Sequence, residues 1–135
     1  MADDAVLVAE LRSATAVCLY DAVEEAGALL HLRFIVRPSK PADVTDTTLA
    51  TELLLLDRCI ASLREAAPAA KNLQAKIAAH LPENPDAQRA CENVLTLVKH
   101  VLDDSGMKVV MSDIAGGLTP RQLRFRPSMG SLQIR

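Results

Sequence analysis

From residue 3 to about residue 34 no proline interrupts the chain, and polar Glu10, Ser13, Asp21, Glu24 and His31 follow helical spacing. The opposite positions are apolar: Leu7, Leu11, Cys18, Ala22, Ala26, Leu29 and Leu30. This pattern predicts one long amphipathic helix, with Asp3 or Asp4 suited to its N-terminus. Pro38 and Pro41 in "VRPSKPADVTD" end it, because proline restricts both itself and the residue before it. A second helix, capped by Thr45 or Asp46, is predicted from Leu49, Leu53, Leu56, Ile60, Leu63 and Ala67, whose spacings alternate between four and three. That is a heptad seam. Pro68 interrupts it, and "PAAKNLQAKIAAHLP" predicts a third, shorter helix with Leu73, Ile77 and Leu81 facing inward.

The fourth segment, "ENPDAQRACENVLTLVKHVLDDSG", has the clearest punctuation in the chain. Asn84 is the N-cap, Pro85 takes the first helical position and Gly106 is placed for a left-handed C-cap. Its seam is Ala87, Cys91, Val94, Val98 and Val101. Four helices on short loops predict an all-α fold, an antiparallel bundle, because each apolar stripe must be buried against another. Residues 107 to 115, "MKVVMSDIA", read either as an extension of the last helix or as an extended piece packed on the bundle. The chain thus divides into a helical body, residues 1 to 117, and an extended basic C-terminal tail, residues 118 to 135.

Charge sharpens that division. The body holds 11 basic and 17 acidic side chains, whereas the tail holds four arginines and no carboxylate. An acidic body repels DNA. The uninterrupted apolar runs, Leu53 to Leu56 among them, are far short of a membrane span, and an acidic "MADDAVLVAE" start matches neither a secretory nor a mitochondrial leader. A cytoplasmic or nuclear protein is expected.

Candidate chemistry is sparse. Phosphate-binding glycine loops, nucleophile elbows, zinc helices and calcium loops are missing, so no catalytic, cofactor-binding or metal-binding residue is assigned. Cys18, Cys59 and Cys91 belong to no CxxC pair and fall on apolar helix faces, as small buried hydrophobes do. His31, His80 and His100 stand in "HLRFIV", "HLPENP" and "HVLDDS", without the following lysine and small residue of a phosphorelay histidine. They read as surface or helix-end residues.

Two features remain. In "ELLLLDRC", four leucines step around the helix by about 100° each, so Leu54 and Leu55 lie off the seam: either the helix is central, or these two face another chain. In the tail, "LRFR" and "LQIR" alternate apolar and basic residues, so that as an extended strand Leu123 and Phe125 share one face and Arg124 and Arg126 the other. The expectation is a non-enzymatic interaction module, a helical subunit or adaptor of a larger assembly. It would dock on a protein partner through Leu54 and Leu55 and through Arg121, Leu123, Arg124, Phe125 and Arg126, with Ser128 a phosphorylation point able to weaken the contact. The alternatives are a nucleic-acid or acidic-surface binder acting through the tail, and an enzyme with no recognisable motif.

Overall fold

A computed structural model describes residues 6–21, 23–33, 47–117, 119–127 and 129–135. The expected caps at Asp3 or Asp4 and at Thr45 or Asp46, the proline-rich connection before the second helix, and Ser128 lie outside the described residues. Among the described residues the elements run β1 (Leu7–Leu11), β2 (Ala14–Asp21), β3 (Ala26–Arg33), α1 (Thr47–Ala66), β4 (Gln74–Leu81), α2 (Pro85–Asp104), β5 (Lys108–Gly116), β6 (Arg121–Arg126) and β7 (Ser131–Ile134). The all-α bundle is therefore corrected: among the described residues seven strands form two sheets, and two of the four expected helices are found.

Three layers result. A four-stranded sheet of order β3-β2-β4-β5 is the middle one. Its strands pair antiparallel except β4 and β5, which run parallel and are connected through α2. On one face, Leu56, Ile60 and Leu63 of α1 and Cys91, Val94, Leu95, Val98 and Leu102 of α2 pack against Val17, Leu19, Leu32, Ala75, Ile77 and Ala79. On the other face lies a three-stranded antiparallel sheet of order β1-β6-β7. Its Leu11, Leu123 and Phe125 close a second core over Ala14, Ala16, Cys18, Tyr20 and Ala78.

The helices that do form carry their own signals. Asn84 Oδ1 accepts from the backbone N–H groups of Asp86 and Ala87 at 2.9 and 3.1 Å, Pro85 follows it, and Gly106 takes φ 76°. The Met107 N–H then donates to the Leu102 carbonyl at 2.9 Å, which completes the expected C-cap. In α1 the seam residues Leu56, Ile60 and Leu63 are buried.

The first predicted helix is instead β1, β2 and β3, and the third is β4. Every residue of β2 is buried, since both faces of this strand are covered, so its sequence has no polar alternation. Along β4 and the residue before it, the inward positions Leu73, Ile77 and Leu81 are spaced by four, but so are Ala75 and Ala79, and all five belong to the helix-side core. A spacing of four is two strand periods as well as about one helical turn. The ambiguous residues 107 to 115 form β5 at the sheet edge, and the stretch from residue 118 onward supplies β6 and β7. Between those two strands Gly130 sits at φ 67°, where an added Cβ would lie 2.2 Å from the Tyr20 ring. Only glycine suits this turn.

Candidate functional site

The two faces of β2 set the chemistry available. Odd positions Val17 and Leu19 point to the helices, and even positions Ala14, Ala16, Cys18 and Tyr20 point to the three-stranded sheet. On β3, Leu32 belongs to the helix-side core and Leu29 packs against the other. By alternation, His31 shares the face of Leu29. It pairs directly with Ala16, and Cys18 and Ala14 stand two residues to either side on β2. His31 is exposed, at the edge of the four-stranded sheet.

No thiol is prepared as a nucleophile. Burial pushes the Cys18 thiol up to about 12 against the pull of the Lys76 charge, and Cys18 is wholly inaccessible. Burial, with the Glu92 carboxylate adding to it, takes Cys91 to about 12 as well. Burial also raises Cys59. A nucleophilic cysteine needs the opposite setting, an accessible and electropositive one. The β2 positions around His31 thus offer two methyl groups and a buried, protonated thiol.

His80 has a different job. Its Nδ1 accepts from the Ser13 N–H at 2.9 Å, so Nε2 carries the proton and donates to the Gly117 carbonyl at 2.8 Å. Both nitrogens are used. The imidazole thereby holds Ser13, a non-glycine residue in the left-handed region at φ 47°, at the entry to β2. Asp21 closes the other end of the strand: burial works to raise its pKa, but backbone N–H groups of Asn72, Glu24 and Val23 outweigh that and hold the carboxyl below its ordinary value. Among the described residues no group of three or more His, Cys, Asp or Glu side chains is placed to hold a metal ion.

The residues singled out from the sequence are dispersed. Leu54 and Leu55 are 48% and 42% exposed on α1, away from the helix seam. Leu123 and Phe125 are buried in this chain's own second core, Phe125 with its ring edge-on to Tyr20 at 6.2 Å. Arg121 turns inward, donating to the carbonyls of Ala79 and Asp113 and pairing with the Asp113 carboxylate at 2.9 Å. Arg124 is exposed and Arg126 half-buried. From the sequence His31 reads as a surface or helix-end histidine; it is exposed, but on an edge strand and not on a helix.

Comparison with known proteins adds what the geometry does not carry alone. No protein-family model matches the sequence. Over 130 residues, the chain is 29% identical to the chemoreceptor glutamine deamidase CheD of Thermotoga maritima. The likeness spans 93% of this chain and 77% of that protein. That protein is an enzyme. The expectation of a non-enzymatic adaptor is corrected by this finding, and the coiled-coil subunit that went with it is excluded by the strands of the fold. No helix among the described residues is long and apolar enough to cross a membrane.

Proposed function

We propose that this chain hydrolyses the side-chain amide of glutamine on a protein substrate of the chemoreceptor class, with His31 as its general base. The observation that carries the reading is the likeness to a glutamine deamidase across nearly the whole chain. The exposed imidazole on the Ala14, Ala16 and Cys18 face supports His31 as the working residue, and the buried, proton-bearing thiols favour water as the attacking group. In this scheme His31 takes a proton from water as the oxygen attacks the amide carbon. The carbon–nitrogen bond then breaks, the imidazole returns the proton to the departing nitrogen, and the new carboxylic acid gives up its own proton to the ammonia released, so that ammonium and a glutamate carboxylate remain. The substrate is a cytoplasmic protein surface, a compartment in which three free cysteines stay reduced.

The test is ammonia release from a purified receptor cytoplasmic fragment. The parent chain should produce ammonia, His31→Ala should lose about 10²-fold or more, and Cys18→Ala, with its fold checked by circular dichroism, should retain activity. Loss of turnover in Cys18→Ala with activity kept in His31→Ala would reverse the assignment. Binding of the fragment with no ammonia released would end the hydrolytic reading.

A further inference from the structure

The outer surface of the three-stranded sheet is left over once the two cores and the His31 face are accounted for. Alternation turns Leu7, Ala9, Leu11, Leu123, Phe125, Leu132 and Ile134 inward, and therefore Val8, Glu10, Gln122, Arg124, Arg126, Ser131 and Gln133 outward. The register sets them in cross-strand rows. Val8, Arg124 and Gln133 form one, Glu10 and Gln122 with Arg135 a second, and Arg126 with Ser131 a third. Two adjoining grooves of about 510 and 330 Å³ run over these rows and share Arg124 and Gln133. Val8 and Met129, which line them, are 65% and 64% exposed.

We propose that this face docks an acidic segment of a partner protein. Among the described residues the side chains of three arginines, Arg124, Arg126 and Arg135, line the grooves against one acidic side chain, Glu10, in a chain of formal net charge -2. Guanidinium groups are suited to carboxylates, which they bind in a bidentate fork, and exposed Val8 and Met129 supply the apolar contact that a peptide's aliphatic side chains need. A nucleic acid fits less well. The arginines are interleaved with Gln, Ser, Val and a repelling carboxylate, and the aromatic rings described, Tyr20 and Phe125, are buried away from this face, so among the described residues it has no aromatic platform for a base. This inference is independent of the hydrolytic reading, because binding and not turnover is its readout.

The experiment is fluorescence anisotropy with the full chain and a labelled twelve-residue peptide in which glutamate alternates with leucine and alanine. The same peptide with glutamine for glutamate, a duplex DNA, a single-stranded RNA and phosphatidylserine vesicles serve as the other arms. The acidic peptide should bind, and the glutamine version should bind at least tenfold more weakly. Arg124→Glu and Arg135→Glu should each weaken binding about tenfold, whereas Glu10→Gln should strengthen it. All three positions are on the outer face, and a circular dichroism spectrum checks each variant. Absence of binding, indifference to both charge reversals, or tighter binding of nucleic acid or vesicles would each overturn the proposal.

Discussion

Phe125→Ala tests whether the C-terminal strands belong to the core. The ring is fully buried between the two sheets, against Tyr20 and among Leu11, Leu123 and Ala78. Truncating a buried phenylalanine costs about 3–5 kcal/mol, and the edge-to-face contact with Tyr20 contributes roughly 0.5–1.5 kcal/mol beyond its area. A loss of about 4 kcal/mol is a large share of the ~5–15 kcal/mol that holds an ordinary domain together. It should lower the melting midpoint on the order of 10–20 °C. Urea unfolding followed by far-ultraviolet circular dichroism measures the loss, with Arg124→Ala as the control one residue away on the exposed face. That neighbour should stay within about 0.5 kcal/mol of the parent. If both variants unfold at the parent's midpoint with an unchanged slope, Phe125 is not in a core and the second sheet is wrongly placed.

Gly130→Ala should destabilise by about 2 kcal/mol or more, because the new methyl meets the Tyr20 ring at a positive φ; thermal melting checks it. Asp21 has a folded pKa below its ordinary value of 3.8, so its contribution is present above that value and disappears as the pH falls through the lowered one. Asp21→Asn should therefore be less stable than the parent at pH 7 and converge on it in strong acid, which urea midpoints across pH will show. The thiols of Cys18 and Cys91 should resist a disulfide-exchange reagent in the native state at pH 8 and react on unfolding; prompt native reaction of either would contradict their burial. Changing Leu54 and Leu55 together to Gln should move the midpoint little, because neither is core. A fall of several kcal/mol would show that these leucines are covered.

What the sequence made legible was what local rules control. Asn84, Pro85 and Gly106 announce α2 because capping depends on nearest neighbours, and Leu56, Ile60 and Leu63 announce α1 because one side of it stays wet. The strands were hidden by their own burial. β2 is covered on both faces, so "ATAVCLYD" has no alternation to read. Ala14, Ala16, Ala75, Ala78 and Ala79 are small residues where layers close on the sheet, yet alanine is the strongest helix former. In this way tertiary packing overrode propensity. The alternation of "LRFR" was legible as a strand, and it forms one in β6, but its partners are β1 and β7 of the same chain. Pairing over more than a hundred residues leaves no local trace. The candidate site was unreadable for a nearer reason: residues 14 to 33 carry a helical spacing, and His31 comes opposite Ala16, with Cys18 two residues along on the same strand, only once they pair as strands.

The most direct test of the functional account is mass spectrometry of a glutamine-bearing protein substrate incubated in heavy-oxygen water with the parent chain and with His31→Ala. The account predicts that specific glutamines become glutamates carrying one heavy oxygen with the parent, at a rate that His31→Ala lowers about 10²-fold or more. Equal conversion by the two proteins, or a substrate left with all its glutamines unchanged, would contradict it.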